Sequence, residues 1–146
     1  MTAVDASPEM VKRCKVPATV ATLEHLPYAD ESFDGIVCSS VLEYVEAPPL
    51  ALREFHRVLK PGSTLLVSVP NSGSALRVLQ ACSFSLFRTP PYMEYSRHAY
   101  SAKKFNELLS AYGFTPQRAE RFGATFTGGK HLPFGYSLRL HVATKK

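Results

Sequence analysis

The sequence predicts an α/β fold with a mostly parallel sheet. The prediction depends on three consecutive segments: a strand over Phe33–Ser39, a helix from Pro48 to Lys60 and a strand over Thr64–Val69. The centres of both strands are continuously apolar, which is typical of strands that are covered on both faces. Strand, helix and strand of these lengths form a βαβ unit with a right-handed crossover, so we expect the two strands to be parallel.

The first elements are predicted around Asp5, where a short apolar stub ends. The segment Ser7–Glu9 combines a capping hydroxyl, a proline and an acid, which indicates the start of a helix that Pro17 ends. We expect the buried face of this helix to hold Met10, Val11 and Cys14. A strand rich in β-branched residues is predicted over Ala18–Leu23.

Four further elements are predicted after Asn71. They are a helix over 75–87, a helix that Ser101 caps and Gly113 ends, a weaker strand over Pro116–Phe122 and a strand over Leu138–Thr144. Between them we expect an irregular cover over Thr89–Tyr100 and a loop over Gly123–Tyr136. The stripe predicted to be buried on the second helix is Phe105, Leu108, Leu109 and Tyr112. The buried face predicted for the last strand is Leu138, Leu140 and Val142.

Composition indicates one globular domain over residues 1–146. The chain is 45% hydrophobic, and its formal net charge of +5 is scattered rather than gathered in a basic stripe, which argues against nucleic-acid binding. Its three cysteines form no C-x-x-C pair, so we expect neither a disulfide framework nor a zinc site, and we predict a cytoplasmic protein. We also expect no membrane partner, since no apolar run reaches the ~18 residues that a membrane span needs.

Three motifs together resemble a known enzyme family. They are L-P-x-x-D-x-S-F-D over Leu26–Asp34, V-L-E-Y-V over Val41–Val45 and R-V-L-K-P-G over Arg57–Gly62. In combination they are similar to the Rossmann-like, type 11 group of class I S-adenosylmethionine (SAM)-dependent methyltransferases. The resemblance implies a three-layer sandwich whose sheet has an antiparallel strand near its carboxyl terminus. It also implies SAM as cofactor and a small molecule as methyl acceptor.

The resemblance also implies a cofactor site at the ends of three strands. Asp5 would accept hydrogen bonds from both ribose hydroxyls, because a carboxylate is an acceptor pair that matches two O–H donors. The residues that would complete the cofactor site are Ala6, Thr22, Leu23, Ser39 and Ser40. Thr22 stands where the family usually has an acid that contacts adenine. Considered without the resemblance, Asp5 and Thr22 are ordinary strand-end residues.

His98 is the candidate catalytic residue implied by the resemblance, since the family's cover segment lines the acceptor pocket. Imidazole changes protonation near neutral pH, so His98 could take a proton from a hydroxyl or amine acceptor. The alternative is an exposed or structural histidine. The other four histidines lack partners at metal-ligand spacing, so we predict no metal site. These are His25, His56, His131 and His141.

The segment before Asp5 departs from the family pattern because it contains no glycine. In the family, a first strand and a glycine-rich loop precede this acid and lie at the centre of the sheet. We therefore expect a domain truncated at its amino terminus, in which the strands ending at Asp5 and at Ser39 lack their shared neighbour. The alternative function is a non-catalytic or split module that completes its sheet with a partner chain or by self-association.

Overall fold

The computed structural model describes residues 1–74, 78, 82–86, 94–122 and 138–146. Its strands are β1 (Ala3–Asp5), β2 (Ala18–Val20), β3 (Phe33–Ser39), β4 (Leu59–Pro70), β5 (Phe114–Phe122) and β6 (Leu138–Lys145). Its helices with complete bounds are α1 (Pro8–Arg13), α2 (Pro48–Val58) and α3 (Ala102–Ala111). The predicted loop over Gly123–Tyr136, most of the predicted helix over 75–87 and part of the cover over Thr89–Tyr100 lie outside the described residues.

The strands form two separate sheets. The two-stranded unit consists of β1, α1 and β2, with β1 and β2 parallel. The four-stranded unit has the strand order β3-β4-β6-β5 and carries α2 and α3. Among the described strands of this sheet, β6 alone runs opposite to the other three, because it pairs antiparallel with both β4 and β5. The predicted α/β fold with an antiparallel strand near the carboxyl terminus is therefore confirmed.

The predicted βαβ unit is also confirmed. β3 has the predicted bounds and pairs parallel with β4 from Phe33↔Leu59 to Ser39↔Ser68. The helix between them begins at Pro48, as predicted, but it ends at Val58 rather than at Lys60. Leu59 is extended and already pairs with Phe33, so β4 begins earlier than the apolar pattern indicated. Gly62 makes the following turn within β4 with a φ of +77°, which glycine adopts without a Cβ penalty.

The core lies in the four-stranded unit. In the described part of the chain fourteen hydrophobic residues other than proline are buried, and all of them fall between Cys38 and Ala143, whereas no residue of 1–37 is buried. They include Phe55 on α2, and also Phe105 and Leu109 on α3, which belong to the stripe that the helical spacing predicted. The buried face predicted for the first helix is wrong: Met10 and Cys14 are exposed, Val11 is only half-buried, and α1 buries none of its residues, because the strands it contacts, β1 and β2, have three residues each.

Two more strand predictions are corrected. β2 ends at Val20 rather than at Leu23, since the chain turns there and the Thr22 carbonyl accepts a hydrogen bond from the His25 amide. On β6, His141, Ala143 and Lys145 are the buried residues, and the predicted set Leu138, Leu140 and Val142 is only half-buried. The register with β4 explains the reversal: Ala143 pairs with Leu65 and His141 pairs with Val67, so these residues share the face that packs against α2 and α3.

β3 differs from the sequence expectation on one face. Continuous apolar sequence predicted that both faces would be covered, yet Val37 is 73% exposed and Cys38, on the other face, is 5% exposed. β3 is an edge strand that pairs only with β4 among the described strands. The expected separation of the strands ending at Asp5 and Ser39 is therefore observed.

Arg57 connects the family-like motifs to one another. Its guanidinium donates hydrogen bonds to the carbonyl oxygens of Leu26 and Tyr28 and to the carboxylates of Asp30 and Glu54, at 2.7–3.0 Å. Glu54 in turn accepts from the Leu26 amide at 2.8 Å. The segment from Leu26 to Asp30, which joins the two units, is thus held against α2 by an arginine and a glutamate.

None of the helices among the described residues combines the length and the hydropathy that crossing a bilayer requires.

Candidate functional site

A cavity of about 750 Å³ lies between the two units. It is lined on one side by β1 and on the other by β3, with residues after β2 and after β3 at its rim. Five of the six predicted cofactor residues line it: Asp5, Ala6, Thr22, Leu23 and Ser39. The carboxyl ends of β1 and β3 therefore meet at one site, as is common for ligand sites in open parallel sheets.

Asp5 is half-buried at the end of β1. Its Oδ1 atom accepts a hydrogen bond from the Ser7 amide at 2.8 Å, and its backbone carbonyl accepts from the Ala21 amide at 3.2 Å. The side chain is thus fixed by the turn that leads into α1. A carboxylate offers about four acceptor positions, so it can still accept further hydrogen bonds from a ligand.

The two residues after β2 are placed differently. Thr22 is exposed at the rim of the cavity, whereas Leu23 is half-buried and packs against the apolar core. Thr22 can therefore reach a ligand with its hydroxyl, and Leu23 can offer an apolar wall. The arrangement is also that of an ordinary strand end, which was the alternative interpretation of Thr22.

The tip of β3 is held by a serine that sequence reasoning missed. Ser68 on β4 is 1% exposed, and its Oγ accepts a hydrogen bond from the Ser40 amide at 2.8 Å. The Ser68 hydroxyl also lies 3.5 Å from the hydroxyls of Ser39 and Ser40. Ser40 has a φ of +53°, a left-handed conformation that is uncommon outside glycine, asparagine and aspartate. Ser40 is not among the residues that line the cavity. The missed signal was the β3–β4 register, which pairs Ser39 with Ser68.

His98 lies in a segment that crosses the loop after β3. The amides of Arg97 and His98 donate to the Glu43 carbonyl at 2.8 and 3.2 Å, and His98 Nε2 lies 3.0 Å from the Val45 carbonyl oxygen. A carbonyl only accepts, so Nε2 carries the proton in this contact and Nδ1 has the lone pair. The segment is joined to the end of β4 by the Tyr100 amide, which donates to the Pro70 carbonyl at 3.0 Å. His98 is half-buried and is not among the residues that line the cavity.

The charged side chains that line the cavity all carry the same sign. They are Asp5, Glu24 and Glu46, and the described residues that line it include no lysine, arginine or histidine. A cavity of this kind favours a cationic or neutral ligand over an anion. Among the described residues, no group of three metal-ligating side chains is close enough to hold a metal ion.

Cys38 also lines the cavity, but its buried environment makes its thiol a poor nucleophile. It is buried, and burial, with a smaller contribution from the charge of Glu43, raises the pKa of its thiol to about 12. Because the thiolate is the nucleophilic form of cysteine, Cys38 is unreactive at neutral pH.

The amino-terminal part of the chain is similar to known proteins. Residues 1–67 match a family described as a methyltransferase domain. Over 89 residues the chain is 36% identical to a malonyl-[acyl-carrier protein] O-methyltransferase from Erwinia pyrifoliae. That match covers 56% of this chain and 33% of the relative, so the chain spans about a third of the length of that protein.

Solved structures share the fold. A SAM-dependent methyltransferase from Thermotoga maritima, described as a possible histamine N-methyltransferase, superposes with a TM-score of 0.80 at 23% identity, over 98% of this chain and 72% of that one. A 1,6-didemethyltoxoflavin-N1-methyltransferase from Burkholderia thailandensis, solved with S-adenosylhomocysteine bound, superposes with a TM-score of 0.65 at 21% identity, over 99% of this chain and 60% of that one. At these identities the similarity shows that the fold is shared.

Proposed function

We propose that this chain, alone or as part of a longer protein, transfers a methyl group from SAM to a small-molecule acceptor, because residues 1–67 match a family described as a methyltransferase domain. The observation that carries the proposal is the convergence of Asp5, Ala6, Thr22, Leu23 and Ser39 on one cavity. The family resemblance implies a cofactor contact for each of these residues, and they lie at or just after the ends of three different strands.

The cavity suits SAM in size and in charge. Its volume of about 750 Å³ is within the range of small-molecule sites, roughly 300–1,000 Å³. SAM carries a sulfonium and an ammonium group against one carboxylate, so it is a net cation, and the charged side chains that line the cavity are acidic. When bound, SAM supplies an electrophilic methyl group on a sulfonium sulfur.

The chain's own residues would bind and orient the reactants. Asp5 would accept from the ribose hydroxyls while its Oδ1 stays fixed by the Ser7 amide, which orients the carboxylate before the ligand arrives. Thr22 would accept a hydrogen bond at the adenine end, and Leu23 would pack against the base. Ser39 at the tip of β3 would face the part of the ligand closest to the acceptor. Holding two reactants in line supplies much of the acceleration of a group transfer. The main contribution of this chain to catalysis would therefore be to position the reactants at the fixed strand ends.

His98 is the proposed base. With Nε2 donating to Val45, Nδ1 would receive the acceptor's proton. Because the same ring also ties its segment to the loop after β3, a structural role is the alternative. His98→Asn distinguishes the two roles: a base predicts a loss of methyl transfer that is largest for weakly acidic acceptors and depends on pH. A structural role predicts a lower melting temperature with an unchanged pH profile.

A cofactor titration tests the proposal directly. We expect the wild-type chain to bind SAM or S-adenosylhomocysteine in isothermal titration calorimetry, and Asp5→Asn to bind roughly ten- to a hundredfold more weakly, because hydrogen bonds to a charged group are worth ~1.5–3 kcal/mol. Asn keeps an acceptor for the Ser7 amide, so the turn should be preserved. Asp34→Asn is the matched control, since Asp34 is exposed and lies outside the cavity. Equal affinities of the two variants would refute the assignment of Asp5.

A second candidate function follows from the division of the sheet. The two-stranded and four-stranded units share no strand among the described residues, so the chain is suited to act as a module that another chain completes. SAM binding that occurs only when such a partner is present would favour this function over independent catalysis.

A further inference from the structure

Ser68 is a buried polar residue in an otherwise apolar part of β4. Its neighbours along the strand, Val67 and Val69, are fully buried. A buried hydroxyl is costly unless it is hydrogen-bonded. In the described part of the chain, the hydrogen bonds of the Ser68 side chain all go to Ser39 and Ser40 at the end of β3. The hydroxyl therefore acts on the end of the neighbouring strand rather than on its own strand.

The pairing of β3 with β4 stops at Ser39 and Ser68. The next amide along the chain, that of Ser40, donates at 2.8 Å to Ser68 Oγ, a side-chain acceptor. The contacts of the Ser68 hydroxyl with the hydroxyls of Ser39 and Ser40 are longer, at 3.5 Å, and are correspondingly weaker. The hydrogen bond from the Ser40 amide is therefore the main connection between Ser68 and the end of β3.

Ser40 is the residue at which the chain leaves the sheet. Its φ of +53° is left-handed, which costs free energy in any residue other than glycine and persists only where the surroundings hold it. Two residues later Leu42 is fully buried in the core, and the Tyr44 amide then donates to the Val41 carbonyl at 2.9 Å. The bend at Ser40 therefore determines where the loop Val41–Glu46 begins.

This loop forms part of the cavity wall. Its members that line the cavity are Val41, Tyr44, Val45 and Glu46. Ser39 lines the cavity as well, whereas Ser68 does not. The middle of the loop is held separately, because the amides of residues 97 and 98 donate to the Glu43 carbonyl. The start of the loop is thus the part that depends on Ser68.

β4 gives Ser68 a fixed position. Its backbone pairs with Ser39 on one side and with Leu140 of β6 on the other. β3, in contrast, lies at the edge of its sheet among the described strands. A side chain on a strand that is paired along both edges supports a site more precisely than a side chain on a loop. Ser68 is therefore well placed to fix the end of β3.

We propose that Ser68 is a positioning residue for methyl transfer. Its hydroxyl holds the Ser40 amide in the left-handed bend and so places Ser39 and the loop Val41–Glu46 at the end of the cavity where the cofactor sulfur and the methyl acceptor would meet. This inference rests on the proposed function and adds a residue that acts on the site without lining it. The opposite end of the cofactor, at Asp5 on β1, would not depend on Ser68.

Two ligands separate positioning from general stability. In the proposed arrangement S-adenosylhomocysteine reaches from Asp5 to Ser39, whereas adenosine occupies the Asp5 end alone. In calorimetry we expect Ser68→Ala to bind S-adenosylhomocysteine at least fivefold more weakly than the wild type and to bind adenosine within twofold of it. A serine that only stabilises the fold would not distinguish the two ligands. Equal weakening of both, or of neither, would therefore overturn the proposal.

Matched variants locate the effect. Ser68→Cys nearly keeps the volume of the side chain but offers a weak acceptor, so its affinity for S-adenosylhomocysteine should fall between those of the wild type and Ser68→Ala. Ser63→Ala is the control, because Ser63 lies on the same strand, roughly 16 Å away at about 3.3 Å per residue, and does not line the cavity. A loss for Ser63→Ala equal to that for Ser68→Ala would contradict a specific role for Ser68.

Amide hydrogen exchange tests the bend without any ligand. In Ser68→Ala we expect the amides of Ser40 and Tyr44 to exchange at least tenfold faster than in the wild type, and those of α3 and β6 to be unchanged. Unchanged exchange at Ser40 would overturn the proposal even if the wild type binds S-adenosylhomocysteine, and the cofactor assignment would stand. Faster exchange in a chain that binds neither ligand would do the reverse: it would remove the cofactor assignment and leave Ser68 as the residue that fixes the loop.

Discussion

The two-stranded and four-stranded units differ in how they are stabilised. All fourteen buried apolar residues lie in the four-stranded unit and the segments packed on it, whereas β1, α1 and β2 bury none. A fully buried aliphatic or aromatic side chain contributes about 1.5–3 kcal/mol, so the four-stranded unit has a hydrophobic core and the two-stranded unit has hydrogen bonds and half-buried contacts. Yet the two-stranded unit carries Asp5, the principal candidate ligand of the cofactor. The part of the molecule with the clearest binding residue is thus the part with the weakest packing.

The largest expected effect on stability comes from a substitution that creates a cavity in the core of the four-stranded unit. Phe105→Ala should lower the free energy of unfolding by about 3–5 kcal/mol, because Phe105 is fully buried on α3 and its deletion leaves a void. Met10→Ala on α1 should change it by less than ~0.5 kcal/mol, since Met10 is 51% exposed. Urea unfolding measures both. A cost for Met10→Ala close to that for Phe105→Ala would mean that the two-stranded unit is as well packed as the four-stranded unit.

Acid should weaken the four-stranded unit through His141. This side chain is 1% exposed, and its Nδ1 lies 2.9 Å from Asn106 Oδ1. Burial, with a smaller contribution from Arg139, lowers the pKa of His141 to about 4 from the ordinary 6.5. The folded protein therefore binds fewer protons than the unfolded chain between these values, so stability is full above pH 6.5 and falls as the pH drops towards 4.

The magnitude can be measured against a variant that does not titrate. The free energy of unfolding should fall by at most about 1.4 kcal/mol per pH unit between pH 6.5 and pH 4. In pH-dependent unfolding, His141→Gln should show a shallower dependence than the wild type between pH 6.5 and 4. Identical slopes would show that His141 is not protonated on unfolding, and acid sensitivity would then have to be assigned to carboxylates such as Glu54, whose pKa is lowered chiefly by its hydrogen bond with Arg57.

The smallest of the three effects concerns the connection between the units. Arg57→Ala should lower the free energy of unfolding by about 2 kcal/mol. The substitution leaves the mostly buried Glu54 carboxylate without its cation, and two carbonyl groups of the Leu26–Asp30 segment lose their hydrogen-bond donor. Limited proteolysis should then cut within that segment. Arg53→Ala is the control, since Arg53 lies on the same helix with its guanidinium carbon 5.8 Å from the Tyr112 ring centroid, in a contact worth much less. Equal losses from both variants would contradict a specific role for Arg57.

The regular parts of the fold could be predicted because they follow local rules. β3 was predicted to the residue from its apolar run, and α3 from Ser101, whose hydroxyl accepts from the Lys104 amide, and from Gly113, which has a φ of +82°. The buried face of β6 could not be predicted from its own alternation. Which face meets the core depends on pairing with β4, and that register is set by residues 68 to 80 positions away.

The candidate cofactor residues could be predicted as far as the family resemblance places them at strand ends. Asp5, Ala6, Thr22, Leu23 and Ser39 converge on the cavity because each follows or ends a strand, and the ends of parallel strands share an edge. Ser68 was missed because it lies in mid-strand, where a serine in an apolar run carries no sign of its partner. The contact of His98 with Val45 spans 53 positions and depends on how the segment after β4 returns, which no local pattern encodes.

The left-handed backbone at Ser40 limits which amino acids this position can accept. A branched side chain there would clash with its own main chain before it met any ligand, so only glycine, asparagine, aspartate or a small residue fits comfortably. In related proteins, the residue type at position 40 would thus be restricted by the backbone conformation more than by the chemistry of methyl transfer. An engineer who wishes to reshape the mouth of the cavity should vary Val41 or Tyr44, which line it, and leave the bend unchanged.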